Sequence, residues 1–164
     1  MNKGKVIFIV AMLVLGLTFS TGLTADLKDF KFGEILAMSG SGSWYGVTME
    51  RGTGIAVDEI NKAGGVAGYK FSYVVEDHKS GQTTPAQNAF RKFTSIDKIS
   101  AIFSSFSAPT LSIMEMAKQK KGLVFNGGAS SPMLVNVPFL YNTRMLGDEI
   151  LPFTLKYLFD KGAR

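Results

Sequence analysis

The sequence predicts an α/β fold with an open parallel sheet and helices on both of its faces, preceded by a signal peptide. Short apolar runs alternate with segments of helical periodicity, which is the pattern of βαβ units. Loops rich in glycine and serine follow several of the apolar runs. The amino terminus differs from the rest, because two lysines there precede a long uncharged run. The length that remains after this segment is that of one domain.

The first 25 residues have the order of a secretory signal peptide. Lys3 and Lys5 form a basic start, residues 6–19 carry no charge, and small polar residues lead to Ala25. The apolar run is too short to span a membrane comfortably, although an uncleaved anchor is the alternative. We therefore expect an exported protein that is cleaved near Ala25 and has no stable membrane insertion afterwards.

Composition excludes several classes of protein. The 164 residues include no cysteine, so a disulfide framework, a thiol nucleophile and a thiolate metal site are excluded. The net charge of +5 is modest, and the lysines at 118, 120 and 121 suit the end of a helix. No nucleic-acid-binding module accompanies them, so we expect no nucleic acid as a partner.

The first half of the mature chain predicts two strands joined by a helix. Residues 30–38 form the first strand, and 39–46 form a glycine- and serine-rich loop. A helix follows from Tyr45 or Val47 to about Asn61. Its predicted buried face consists of Met49, Thr53, Ala56 and Ile60. Glycines end it, and residues 71–75 form the second strand.

The second half continues the alternation. Thr84 and Gln87 predict a capping box around Pro85, and the helix they begin has an apolar stripe. That stripe consists of Ala86, Ala89, Phe90 and Phe93. The remaining predicted elements are a strand at 99–103, a helix from Ser107 or Ala108 to the lysine cluster, a strand at 123–125, a short strand at 140–143 and a helix at 148–161.

Three loops are the candidates for a functional site. Residues 39–46, 104–110 and 127–132 each follow a predicted strand, and ligands of open α/β sheets bind where such loops converge. Ser107 lies at a helix start, which offers unpaired N–H groups and a positive dipole end. Ser130 supplies another hydroxyl, and Trp44 and Tyr45 supply aromatic area. These features suit a pocket for a small anion, whereas the alternative is that the serines only cap helices.

The residues give little support for catalysis. His78 is the only histidine, and its neighbours Asp77 and Lys79 predict a solvated position at a strand end. Dinucleotide binding is a further alternative, with Asp77 as the supporting acid. However, the loop at 40–46 is not G-x-G-x-x-G, because Gly46 comes one residue late.

An ordered series of motifs resembles the periplasmic binding proteins of branched-chain amino acid ABC transporters, the leucine/isoleucine/valine-binding family of type I fold. The series begins with GEILAMSG at 33–40 and the Tyr45-Gly46 pair, and continues with AVDEIN at 56–61 and AGGVAG at 63–68. The Glu76-Asp77 strand end, the loop at 104–110 and GASSP at 128–132 follow in order.

The resemblance implies a site and partners. It implies that residues matching Ser107 or Ala108, Gly128 and Ser130 hold an amino acid's carboxylate and ammonium groups, with Trp44 or Tyr45 beside the side chain. The implied ligand is an amino acid or an amide, without cofactor or metal, and the implied partner is an inner-membrane permease. The implied place is the periplasm. A sensory domain of the same fold, or an exported enzyme using Asp77 and His78, are the alternatives.

The chain departs from the resembled family mainly in length. Family members have two lobes that close around a ligand, whereas this sequence stops at about the expected crossover to the second lobe. We therefore expect residues 26–164 to form a truncated amino-terminal lobe. The run at 107–110 also contains fewer serines than is usual in the family, so the hydroxyl assignment can shift by one residue.

Overall fold

The structure, a computed structural model, describes residues 26–163, so the predicted signal peptide lies outside the described residues. The strands are β1 (Lys28–Leu36), β2 (Tyr69–Asp77), β3 (Ala101–Ser104), β4 (Leu123–Asn126) and β5 (Leu140–Asn142). The helices are α1 (Ser43–Lys62), α2 (Thr83–Ser95), α3 (Ser107–Lys120) and α4 (Gly147–Asp160), with a 3-10 turn at Pro132–Leu134. The predicted α/β class and each predicted strand and helix of residues 26–163 are therefore confirmed.

The five strands form one parallel sheet in the order β2-β1-β3-β4-β5. The chain passes from β1 outward to β2 and then crosses back to β3 on the other side of β1. This reversal places the topological switch point between the carboxyl ends of β1 and β3. The loops that follow β1, β3 and β4 consequently share one edge of the sheet.

One face of the sheet, which we call the closed face, packs against α2 and α3. Its strand residues are small or aliphatic, and they include Ile35, Ile102 and Val124, each fully buried. The helices cover them with Phe90, Phe93, Ile113, Met114 and Ala117, among others. Gly33 is required here, because a Cβ at this position would lie 2.5 Å from the Phe93 ring. The predicted apolar stripe of α2 is confirmed.

The opposite face, which we call the aromatic face, is covered only in part by α1. An aromatic row crosses it, in which neighbouring ring centroids are 5.1–5.7 Å apart. The row consists of Tyr73, Phe32, Phe103, Phe125 and Tyr141. A groove of about 540 Å³ runs between this row and α1. The predicted face of α1 is therefore less buried than expected. Met49, Thr53 and Ile60 are half-buried and Ala56 is exposed.

Two helix ends differ from the prediction. Helix α2 begins one residue before Thr84, its N-cap is Gln82, and no side chain caps it. The predicted capping box is wrong because the Gln87 amide donates instead to the Ser112 carbonyl oxygen of α3, at 3.2 Å. Helix α1 begins at Ser43, inside the predicted loop.

No helix among residues 26–163 combines the length and the apolar character that crossing a bilayer requires.

Candidate functional site

The loops after β1, β3 and β4 meet at the carboxyl edge of the sheet and bring most of the predicted site residues together. A Cβ at Gly128 would lie 2.9 Å from the Tyr45 ring and 3.0 Å from the Ser105 Cβ, so only glycine allows these loops to approach. The Ser107 Oγ accepts hydrogen bonds from the N–H groups of Ser130, at 3.3 Å, and Ser131, at 3.2 Å. We call the surface formed by Tyr45, Ser107, Ala108, Gly128 and Ser130 the rim.

The predicted aromatic pair lies at one side of the rim. The Trp44 and Tyr45 rings meet edge to face with centroids 5.5 Å apart. Tyr45 is half-buried and also packs against Phe106 at 5.8 Å, whereas Trp44 is 70% exposed. Tyr45 therefore forms a fixed wall of the rim, and Trp44 extends from it into solvent.

The Ser107 hydroxyl is held in one orientation. A hydroxyl has two acceptor lone pairs and one donor hydrogen. Because the N–H groups of Ser130 and Ser131 take the acceptor side, the hydrogen remains available for a further acceptor. Ser107 and Ala108 also begin α3, where backbone N–H groups have no carbonyl partner within the helix and the dipole is positive. This corner of the rim suits a negatively charged oxygen.

Gly128 contributes differently from what the resemblance implies. The Asn126 Oδ1 accepts the N–H groups of Gly128, at 3.1 Å, and Ala129, at 2.6 Å, so the Gly128 amide is already paired. The Asn126 amide group donates to the Ala129 carbonyl and the Asn142 Oδ1, both at 2.8 Å. Buried Asn126 thus folds this loop, and Gly128 supplies the space for Tyr45.

Arg144 is a cation beside the rim that the sequence analysis missed. Its Nη1 donates to the Gly128 carbonyl oxygen at 3.2 Å, and the residue is exposed. The arginine lies two residues after β5, and because β5 pairs with β4, this strand end lies next to the loop after β4. A charged residue at such a strand end was the available signal.

The carboxyl end of β2 ties the loop after β1 in place. The Asp77 carboxylate accepts hydrogen bonds from the Met38 N–H at 2.9 Å, the Ser39 hydroxyl at 2.5 Å and the Lys79 N–H at 2.6 Å. Burial by itself raises the pKa of Asp77, but these hydrogen bonds outweigh it and hold that pKa below its usual value. The Asp77 oxygens are therefore engaged within the fold, which speaks against the ribose-binding role considered for this residue.

Ser80 adds a second tie between the same loops. Its hydroxyl accepts from the Gly42 N–H at 2.8 Å and donates to the Ser39 carbonyl oxygen at 2.6 Å. Hydrogen bonds from Asp77 and Ser80 therefore hold both ends of the serine-glycine turn that precedes α1. These hydrogen bonds fix the position of the start of α1, which carries Tyr45.

The expected solvated position of His78 is wrong. The side chain is completely buried, because the chain turns inward after β2 instead of running into solvent. Its Nδ1 accepts the Gly81 N–H at 3.0 Å, and its Nε2 lies 3.0 Å from the Ser105 Oγ. Burial lowers the pKa of His78 below its usual value, against the raising effects of a backbone hydrogen bond and of the Asp77 charge. The imidazole is neutral and takes part in the structure near the rim.

Glu34 is a buried carboxyl group that the sequence analysis did not single out. Its Oε1 accepts the Thr53 hydroxyl at 2.6 Å, whereas its Oε2 has no partner among the described residues. Burial raises its pKa to about 7, the Thr53 hydrogen bond opposes this, and the nearby Glu50 adds to it. The signal in the sequence for a buried acid was the position of Glu34 inside the apolar run FGEIL. It lies under α1 on the aromatic face and is not part of the rim.

Comparison with known proteins places this fold in a class of solute-binding α/β proteins. A family model described as "Periplasmic binding protein" matches residues 29–164. Leu/Ile/Val-binding protein homolog 8 of Brucella suis biovar 1 (strain 1330) is 30% identical over 140 residues, which are 85% of this chain and 30% of that relative. The chain belongs to the periplasmic binding protein family.

Solved structures agree with this assignment. The branched-chain amino acid transporter substrate-binding protein LivJ of Streptococcus pneumoniae, in complex with isoleucine, is 27% identical with a TM-score of 0.67. The match covers 73% of this chain and 34% of that one. An ABC-transporter solute-binding protein of R. palustris in complex with 4-hydroxybenzoate shares the fold, at 19% identity and a TM-score of 0.71, over 82% of this chain and 37% of that one. The type I fold is confirmed, and the chain spans about a third of the length of these proteins.

Proposed function

We propose that this chain is the amino-terminal lobe of the solute-binding component of an ABC transporter. In this proposal residues 1–25 direct export to the periplasm, and residues 26–164 capture a small solute for delivery to a permease in the inner membrane. Membership of the periplasmic binding protein family supports it, as do the names of the relatives. The role is binding, without a chemical step.

The rim supports a carboxylate as the group that is held. The Ser107 hydroxyl has a hydrogen to donate, and the N–H groups of Ser107 and Ala108 lie at the positive end of α3. Arg144 adds a positive charge beside Gly128. The two ligands described for the similar structures, isoleucine and 4-hydroxybenzoate, have a carboxylate in common. This orientation of the Ser107 hydroxyl is the observation that carries the proposal.

The remaining ligand atoms would lie along the aromatic side of the rim. Tyr45 offers a fixed ring there, and exposed Trp44 is free to cover a side chain. An amino acid with an apolar side chain, branched or related, fits a polar corner beside an aromatic wall. In this proposal the exposed Ser130 hydroxyl meets the ammonium group, since a hydroxyl oxygen accepts hydrogen bonds.

The two other functions considered have less support. An enzyme that uses Asp77 and His78 would need these groups free, but both are engaged in hydrogen bonds inside the fold. A sensory domain of the same fold would use the same rim, and the transporter names of the relatives favour a permease as the partner. An amide ligand, the remaining alternative, lacks the carboxylate.

The test is a titration of L-isoleucine followed by ¹H–¹⁵N NMR, with Ser107→Ala and Ser112→Ala compared. Ser112 is the matched control, because its hydroxyl donates to Pro109 within α3 and lies outside the rim. We expect weak binding, with a Kd on the order of 1 mM, because one lobe supplies only part of the contacts. Ser107→Ala should weaken it about tenfold, and Ser112→Ala should leave it unchanged. Equal affinities for all three proteins would contradict the proposal.

A further inference from the structure

We propose that His78 is a positioning residue that fixes the start of α3, and with it the Ser107 hydroxyl, in the geometry of the rim. The histidine belongs to the loop after β2, whereas Ser107 is the first residue of α3, after the loop that follows β3. The link between them consists of Ser105 and Phe106. The inference rests on the proposed function only where it takes the rim to be a binding site. The contacts between His78 and the start of α3 are present in the ligand-free chain.

The two hydrogen bonds of the imidazole define its tautomer. A backbone N–H can only donate, so the Gly81 N–H at 3.0 Å requires an unprotonated Nδ1. The neutral ring then carries its hydrogen on Nε2 and donates it to the Ser105 Oγ, also at 3.0 Å. His78 therefore joins the Gly81 turn to the Ser105 side chain in one defined orientation.

Ser105 transmits this position to the rim. Its N–H donates to the Ile35 carbonyl oxygen of β1 at 3.2 Å, so its backbone and its side chain are both fixed. Its Cβ lies close to Gly128, where an added methyl group would be 3.0 Å away. A shift of Ser105 would consequently move both the start of α3 and the loop that carries Gly128.

Phe106 shows that this segment needs external support. Its φ of 63° and ψ of 142° lie in a region that non-glycine residues rarely adopt. The His78 ring packs against the Phe106 ring with centroids 5.1 Å apart, and Tyr45 packs against it at 5.8 Å. Strained backbone persists only where its surroundings determine it, and here the buried imidazole is one of those surroundings.

Protonation of the imidazole would break the link. A hydrogen on Nδ1 would oppose the Gly81 N–H, because two donors would then face each other. The groups that contact the ring, Gly81 of the turn and the Ser105-Phe106 pair, are neutral. Asp77, next in the chain, is the charged group that acts on the ring within the described residues, and burial outweighs its effect on the pKa of His78.

The test starts with the unmodified chain, whose single histidine gives one set of imidazole signals. Long-range ¹H–¹⁵N spectra at pH 7.5 should show the hydrogen on Nε2. As the pH falls, the backbone amide signals of Gly81, Ser105, Phe106 and Ser107 should shift with the same midpoint as the imidazole, at a pH below 6.5. Amides of the α3 centre, such as that of Ile113, should not follow it. A hydrogen on Nδ1, or a Ser107 amide signal that does not shift with the imidazole midpoint, would overturn the proposal.

Variants separate positioning from general stability. His78→Gln retains a side-chain N–H for Ser105 without titrating, so its Ser107 amide signal should stay near the wild-type position and lose its pH dependence. His78→Ala should displace that signal at every pH. Ile113→Val, in the closed-face core, is the control that lowers stability without moving the rim. Rim amides unaltered in both His78 variants would contradict the link. If they respond as expected while L-isoleucine does not bind, only the proposed function fails.

Discussion

The two faces of the sheet are built in different ways. On the closed face, aliphatic strand residues and Gly33 lie under Phe90 and Phe93, and the core there is fully buried. On the aromatic face, rings stack side by side, α1 covers them only in part, and a groove of about 540 Å³ remains. The comparison teaches that the closed face supplies most of the buried core, whereas the proposed binding site lies along the edge between the two faces.

The largest expected effect comes from the closed face. Phe93→Ala should cost about 3–5 kcal/mol in the free energy of unfolding, because it removes a fully buried ring and leaves a cavity. Phe103→Ala, on the aromatic face, should cost about 1–2 kcal/mol, because part of that ring already faces solvent. Urea unfolding of both variants measures the difference. Equal losses would show that the aromatic face is as well packed as the closed face.

A pH-dependent effect is expected from Glu34 on the aromatic face. Its pKa is raised from 4.5 to about 7, so the folded state binds a proton more tightly than the unfolded state. Its contribution to stability is therefore present below pH 4.5 and is lost as the pH rises through 7. Glu34→Gln should exceed the wild type by less than about 1 kcal/mol at pH 5 and by about 1–3 kcal/mol at pH 8.5.

The control for this prediction is Glu59→Gln, since Glu59 lies exposed on α1. Thermal unfolding at the two pH values should show no difference between this variant and the wild type beyond experimental error. A Glu34→Gln protein whose advantage is the same at pH 5 and pH 8.5 would show that the Glu34 carboxyl group ionises as it does in the unfolded chain.

The smallest expected effect comes from the surface beside the closed face. The Lys92 ammonium group lies 2.7 Å from the Glu76 carboxylate and 3.2 Å from that of Asp97, and all three groups contact solvent. Exposed ion pairs contribute little, so Lys92→Met should lower the urea midpoint of unfolding only slightly at low salt. The loss should shrink further in 0.5 M NaCl, as measured by urea unfolding. A loss of the size expected for Phe93→Ala would contradict this ranking.

The sequence predicted the elements because their periodicities are strong and local. The stripe of α2 and the βαβ alternation required no tertiary knowledge, and the parallel sheet followed from them. The failures are tertiary. His78 was expected in solvent because its neighbours Asp77 and Lys79 are charged, yet the turn at Gly81 directs it inward. The capping box predicted at Thr84 does not form, because the Gln87 side chain donates its hydrogen bond to α3 instead.

For the candidate site, the sequence predicted which loops meet but could not assign each hydrogen bond. The loops that carry Ser107 and Ser130 and the start of α1 that carries Tyr45 meet as expected, because the carboxyl ends of parallel strands share an edge. The Gly128 amide is instead paired with Asn126, and Arg144 enters from β5. The Asn126–Asn142 and Arg144–Gly128 hydrogen bonds each join residues 16 positions apart, and local patterns do not record such contacts.

The most direct measurement compares L-isoleucine with L-isoleucinamide in ¹H–¹⁵N NMR titrations of this chain. The two molecules differ in the carboxylate, which is the group assigned to the edge. The account predicts that L-isoleucine shifts the amide signals of Ser107 and Ala108, and that L-isoleucinamide at equal concentration does not. Equal shifts by both molecules, or shifts confined to Phe103 and Phe125 of the aromatic face, would contradict it.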